Sequence, residues 1–192
     1  AKKFMAIAKR QGLKFRLKTA VKSAKASKTG VSLMVEPAGG GDEEQIDADV
    51  ALVSVGRHPA TNGLGLEEAG VAVSDRGRIK VDPRFETSVE GIFAIGDVIN
   101  GPMLAHKAEE DGIAAVELMA GLAGHVDYDA VPGIVYTAPE VATLGKSEES
   151  LKAEDISYVK GVFPFQANSR AKAVGHTDGF VKILACTETD RV

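Results

Sequence analysis

The sequence predicts a mixed fold, α/β followed by α+β, and three observations carry that expectation. Short apolar runs at Val50 to Val55 and Ile92 to Ile95 each stop at a glycine, as buried strands do. One stretch, LAHKAEEDGIAAVELMAGLAG, places apolar residues at helical spacing. Beyond it, four strand patterns suggest an antiparallel sheet.

In chain order, FMAIAKRQ reads as the end of a helix closed by Gly12, its basic last turn suiting the negative end of the helix dipole. Lys14 to Leu17, Ala20 to Lys25 and Val31 to Glu36 alternate apolar and polar residues, which predicts half-buried strands, with a Lys28-Thr29-Gly30 turn before the last. PAGGGDEE is a polar hairpin loop leading to the buried strand Val50 to Val55. GLEEAG predicts a helical turn closed by Gly70, and Ile79 to Val81 a short strand. The long helix follows, with its apolar stripe at Ile113, Val116, Leu118, Met119 and Leu122 and with Glu109, Glu110 and Asp111 near its start. Ile134 to Tyr136, Val141 to Leu144, Tyr158 to Phe163 and Phe180 to Cys186 are the sheet strands, with a helix capped by Ser147 among them. TETDRV ends on a turn without the strand expected after it, which reads as truncation.

Composition narrows the function classes. At 192 residues with 21 glycines and 7 prolines dispersed along it, the chain suits a globular core and fits neither a collagen-like nor a low-complexity pattern. No apolar run nears the roughly 20 residues needed to cross a bilayer, so no membrane partner is expected and the cytoplasm is the default compartment. A net charge of −4 argues against nucleic acid as a partner. All ten cations from Lys2 to Lys28 precede the first acid, Glu36; this is either a docking surface for an acidic partner or, the favoured reading, a solvated face. Cys186 is the lone cysteine, and its setting in FVKILAC predicts a buried strand thiol.

Two glycine patterns fail as phosphate sites. Gly145-Lys146-Ser147 resembles the end of a P-loop, but Glu140 stands where the motif needs glycine. Gly63 and Gly65 lack both a third small residue, Glu68 being there instead, and a strand leading in. The four histidines show no zinc-ligand spacing, so no metal site is expected.

TSVEGIFAIGDVINGPMLAHKAEEDG remains. An acid at the carboxyl end of a strand, Asp97, can accept hydrogen bonds from sugar or polyol hydroxyls, and the glycine beside it, Gly96, allows close backbone approach. The helix that follows offers free N–H groups around Leu104, Ala105 and His106, which favour an anionic or electron-rich ligand atom. Spacing alone equally supports a purely structural reading, in which Asp97 ties a turn and the helix only packs.

TSVEGIFAIGD followed by GPMLAHKAEEDG resembles the flavin-contact segment of dihydrolipoamide dehydrogenases, and VYTAPEVATLG resembles the start of their dimerisation domain. DADVALVSVGRHPAT is similar to the end of the family's NAD domain, and FPFQANSRAKAVGHTDGFVKIL to its interface sheet. The resemblance implies a chain cut from a larger one: residues 1–57 as the C-terminal part of a three-layer NAD-binding domain, 58–127 as a central FAD-contacting segment, and 128–192 as the first part of an antiparallel-sheet dimerisation domain. It implies FAD and NAD as cofactors, Asp97 as the ribityl acid with Gly96 beside it, and Met103, Leu104, Ala105 and His106 as flavin-edge contacts. Gly56 falls on the nicotinamide-cofactor glycine, and Tyr136 and Thr137 on a segment that approaches the flavin region.

Further implications concern partners: a homodimer formed through residues from about Val131 onward, and the lipoyl-bearing subunits of a 2-oxoacid dehydrogenase or glycine cleavage complex. The compartment becomes the mitochondrial matrix if the source is eukaryotic. His58 and Ala60 depart from the residues frequent in the family at those places. The paired redox cysteines and the FAD and NAD glycine loops are expected before Ala1, and the His-Glu acid-base pair after Val192, so no catalytic residue is assigned within the chain. Competing expectations are a glutathione- or mercuric-reductase-like flavoprotein and a non-catalytic FAD-binding or dimerisation module.

Overall fold

In the computed structural model, which describes residues 1–192, the chain divides between Val55 and Gly56 into two units. The first opens with helix α1 (Lys2–Arg10), which buries Ile7 and Ala8. Its end has the predicted glycine stop: the Gly12 N–H donates to Lys9 O at 3.0 Å and the Leu13 N–H to Ala8 O at 3.1 Å, the paired bonds of a Schellman motif. Strands β1 (Thr19–Ala26), β2 (Val31–Pro37) and β3 (Glu44–Ala48) form an antiparallel sheet in that order, with Ala26 opposite Val31 and Leu33 opposite Ile46. The basic run lies exposed throughout; Lys22 pairs with Glu36 at 3.0 Å and Arg16 with Glu44.

Two expected strands of this unit are not formed. Lys14 to Leu17 is irregular, and pairing starts at Thr19 after Lys18 takes a left-handed φ of 53°. Val50 to Val55 is unpaired, and Leu52 and Val55 are 90% and 92% exposed. Its β-branched composition specifies a strand, but none of β1, β2 and β3 pairs with it, and its backbone groups have no ladder partner in this unit.

The second unit is built around Val71, Ile79, Phe85, Ala94, Ile99, Ala114 and Ala115. GLEEAG forms the predicted turn, with the Val71 N–H donating to Leu66 O at 2.8 Å. The strands expected at Ile79 to Val81 and Ile92 to Ile95 shrink to single bridges, Val73 with Ile79 and Glu86 with Phe93. Tight turns cut them short: Asp82 Oδ1 accepts from the Arg84 and Glu86 N–H groups at 2.8 and 3.0 Å.

Helix α2 (Ala105–Met119) is the predicted long helix, but it presents the opposite face to the core. Lys107, Asp111, Ala114 and Ala115 are buried, whereas Ile113, Val116, Met119 and Leu122 are half or more exposed and only Leu118 of the expected stripe packs inward. Small residues let the preceding loop approach closely, and that close face is the buried one. The acids begin one turn into the helix, so its first turn has none and Leu104 provides no side-chain cap.

Beyond α2 the expected single sheet resolves into two antiparallel ribbons, β4 (Gly133–Val135) with β5 (Val141–Thr143) and β6 (Tyr158–Pro164) with β7 (Phe180–Cys186). Helix α3 (Glu148–Ala153) begins at the predicted cap, Ser147 Oγ accepting from the Ser150 N–H at 3.1 Å. Helix α4 (Ser169–Val174) was not expected; Asn168 Oδ1 caps it at 2.9 Å and Gly175 ends it. The Glu148 carboxylate gathers Lys182, Lys160 and the Tyr158 hydroxyl at 2.9 to 3.1 Å, joining α3 to the β6–β7 ribbon.

Candidate functional site

Gly96 opens a short 3-10 turn, Gly96–Val98, that carries Asp97 to the surface. Its φ is +72°, a left-handed value that a side chain disfavours, and an added Cβ would lie 3.0 Å from Ala108 Cβ on α2. Glycine is therefore required twice over, by conformation and by the close approach of the turn to the helix. The Asp97 carboxylate is 40% exposed and pairs loosely with the exposed Arg57 guanidinium at 3.7 Å. Gly56, next to Arg57, has a left-handed φ of 109° and open space where a Cβ would stand.

The loop from Asp97 to α2 is held from both sides. Arg78 donates to Gly101 O at 2.8 Å and to Ile99 O at 3.3 Å. Met103 and Leu104 are half-buried, while Ala105 and His106 are exposed at the helix start. The first helical hydrogen bond runs from the Ala108 N–H to Leu104 O at 3.1 Å. The N–H groups of Ala105, His106 and Lys107 thus have no acceptor within the helix. His106 Nε2 meets Pro132 O at 2.9 Å, linking this corner to the chain that enters β4.

A network absent from the sequence expectations lies beneath. Lys107 Nζ and Asp111 Oδ2 pair at 2.6 Å with both side chains fully buried. Lys107 also donates to Gly96 O at 3.1 Å, and the Gly96 N–H donates to Asp111 Oδ2 at 3.0 Å. The Tyr128 hydroxyl donates to Asp111 Oδ1 at 2.7 Å, and burial first, then this bond and the carboxylate charge, push its pKa above the usual phenol range. Every buried side-chain polar atom has a partner. The i, i+4 spacing of Lys107 and Asp111 is visible in AHKAEEDG, but ion pairs at that spacing ordinarily lie on a solvated helix surface.

The other expectations fall outside this corner. Cys186, at the end of β7, is half-buried and not fully buried as expected; the Thr189 side chain first, then the backbone of Glu188 and Thr189, hold its thiol below the usual range. Tyr136 is 80% exposed. Ser147 of the P-loop-like triplet is the α3 cap, and Lys146 pairs with Glu154. No three His, Cys, Asp or Glu side chains are grouped to hold a metal, and no helix is long and apolar enough to cross a membrane.

The donor set suits a flavin: a reachable carboxylate for hydroxyl groups, and unpaired helix N–H groups for an electron-rich ring edge, fixed to one another through Gly96. The chain belongs to the pyridine nucleotide-disulphide oxidoreductase family, whose profile matches residues 1–112, and the dimerisation-domain profile of the same family matches residues 131–192. Within it, the chain is 59% identical over 191 residues to dihydrolipoyl dehydrogenase 2, mitochondrial, of Arabidopsis thaliana, and 54% identical over 193 residues to the mitochondrial dihydrolipoyl dehydrogenase of Homo sapiens. Each alignment takes in 100% of this chain but 38% of the relative, so the chain spans little over a third of the length of these proteins. Among solved structures, the HOCl-induced flavoprotein disulfide reductase RclA from Escherichia coli superposes with a TM-score of 0.84 at 26% identity, covering 98% of this chain and 42% of that one. These matches bear out the resemblance to dihydrolipoamide dehydrogenases drawn from the sequence, and with it the mixed α/β class.

Proposed function

We propose that the protein carrying this chain is a dihydrolipoyl dehydrogenase, oxidising protein-bound dihydrolipoamide and passing the electrons to NAD+. One observation carries the reading: the Asp97 carboxylate and the free N–H groups of α2 are fixed together through Gly96. It is supported by 54–59% identity to dihydrolipoyl dehydrogenases along the whole chain. Bound FAD supplies the two-electron relay between a dithiol and the nicotinamide. Asp97 accepts hydrogen bonds from the ribityl hydroxyls, beside Gly96. Ala105 and His106 present backbone N–H groups to the ring edge, Met103 and Leu104 shield it from water, and Gly56 leaves its backbone open to the nicotinamide cofactor.

The same reading divides the chain into 1–57 of the NAD domain, 58–127 of the central segment and 128–192 of the dimerisation domain. A dimerisation profile starting at 131 supports subunit contacts from about Val131 onward, and hence a homodimer. Lipoyl-bearing subunits of a 2-oxoacid dehydrogenase or glycine cleavage complex are the proposed partners. The proposed compartment is the cytoplasm, or the mitochondrial matrix in a eukaryote. Cys186 stands alone, so the dithiol chemistry needs cysteines beyond these residues.

The test is steady-state turnover of the full-length flavoprotein with dihydrolipoamide and NAD+, beside glutathione disulfide and mercuric ion with NADPH. Dihydrolipoamide is expected to dominate kcat/KM; preference for either alternative overturns the assignment. For the site, Asp97→Ala is expected to weaken FAD binding about 10–150-fold, as for loss of a hydrogen bond to a charged group. The melting temperature of the apo-protein should stay unchanged, and an equal loss with and without FAD would make Asp97 a structural residue.

A further inference from the structure

Gly96 is the one backbone unit at this corner whose N–H and C=O are both satisfied by charged side chains. Asp111 accepts from the N–H at 3.0 Å and Lys107 donates to the oxygen at 3.1 Å, while the two side chains pair at 2.6 Å with no exposure. Both belong to α2, Lys107 in its first turn and Asp111 one turn later. The Tyr128 hydroxyl steadies the far carboxylate oxygen at 2.7 Å, and Lys107 Nζ lies 5.8 Å from the centre of the Tyr128 ring. Packing alone does not call for such an arrangement, because a buried ion pair is often no more stabilising than apolar residues of similar volume. What the charges add is direction: the acceptor fixes the peptide that enters Gly96 and the donor the peptide that leads from Gly96 into Asp97.

We propose that Lys107 and Asp111 are positioning residues for the flavin, holding the Gly96–Asp97 turn in register with the start of α2 so that the Asp97 carboxylate and the helix N–H groups address one ligand. This rests on the reading of Asp97 as a flavin ligand. Neither residue touches the flavin; they act through Gly96, and Tyr128 acts through Asp111. Gly101 fits the same scheme, since an added Cβ there would stand 3.1 Å from Lys107 Cε and displace the lysine.

The experiment uses the full-length flavoprotein with Lys107→Met/Asp111→Leu, Tyr128→Phe and Asp97→Ala, each freed of FAD and titrated with it. Three readouts are taken: FAD affinity, melting temperature of the apo-protein, and the visible circular dichroism of the bound flavin. The double variant removes both charges together, so no lone buried charge is left, but the Gly96 N–H and the Tyr128 hydroxyl lose their acceptor and the apo-protein is expected to melt moderately below wild type. Its FAD affinity is expected to fall about tenfold or more, equivalent to about 1.4 kcal/mol, with an altered dichroism band. Tyr128→Phe should move both flavin readouts the same way by a smaller factor. A double variant with wild-type affinity and spectrum overturns the proposal. If it fails to fold, Tyr128→Phe decides: a weaker, spectrally shifted flavin supports the positioning role and a wild-type one overturns it. Asp97→Ala separates the layers: weakened FAD there with a normal double variant defeats only the positioning role, whereas unchanged FAD defeats the reading of Asp97 and the proposal with it.

Discussion

Replacing Gly96 by alanine tests whether the turn and α2 are pressed together as tightly as the geometry says. The φ of +72° imposes a left-handed conformation on the new side chain, costing about 1–2 kcal/mol. Its methyl group would meet Ala108 Cβ at 3.0 Å and Ala108 Cα at 3.8 Å. The shorter contact lies inside the roughly 3.5–4.0 Å optimum for carbon pairs, and overpacking of this kind costs about 1–3 kcal/mol. Gly96→Ala is therefore expected to destabilise by about 2–5 kcal/mol. Ala108→Gly alone should cost about 1 kcal/mol in helix propensity, yet it removes the methyl that Gly96→Ala strikes. In the double variant only the conformational strain and the helix cost remain, about 2–3 kcal/mol. The two changes should accordingly couple favourably by about 1–3 kcal/mol. Urea unfolding of the four full-length apo-proteins, followed by far-ultraviolet circular dichroism, measures this cycle. Strict additivity would refute the close approach, and a neutral Gly96→Ala would refute the whole account of the turn.

Two further outcomes follow from the second unit. Lys182, then Lys160, holds the Glu148 carboxyl down at about 2, below its ordinary value of 4.5, so its contribution to stability is present above pH 4.5 and is lost as pH falls toward 2. Glu148→Gln should therefore reduce stability at pH 7 and converge with wild type near pH 2, which denaturant titrations across that range would detect; a constant difference at all pH values would contradict it. Ser147→Ala removes the hydroxyl that accepts from the Ser150 N–H at 3.1 Å and is expected to cost about 0.5–2 kcal/mol. Faster amide exchange confined to Glu148–Ala153 would accompany that loss, and unchanged exchange there would show the cap to be idle.

Local signals in the sequence carried much of the fold. The glycine stop after α1, the Lys28-Thr29-Gly30 turn, the Ser147 cap and the strands β1, β2, β6 and β7 depend on neighbouring residues, and each is present, although burial does not alternate along those strands. Equivalent signals flank α4, with Asn168 before it and Gly175 after it, but its six residues are too few to show a helical apolar stripe. Tertiary choices were hidden. Periodicity located α2 but assigned it the wrong face, because Lys107 and Asp111 are residue types that normally lie in water. Nothing local shows that Gly96 lies 15 residues away from its acceptor and yet against it. At the candidate site, Gly96, Asp97 and the start of α2 were legible as a strand end, an acid and a helix start, whereas the buried pair joining them was not.

The exposure of Val50 to Val55 has a consequence for handling this chain by itself. Six residues of high strand propensity, free of charge and proline, have the composition that stacks into cross-β assemblies when it meets copies of itself. Asp47 and Asp49 on one side and Arg57 on the other stand as gatekeepers, their charges opposing in-register stacking of identical chains. Neutralising them together would leave that hexapeptide unguarded in any preparation that exposes it as this chain does, and fibrils, not soluble oligomers, would be the product to look for.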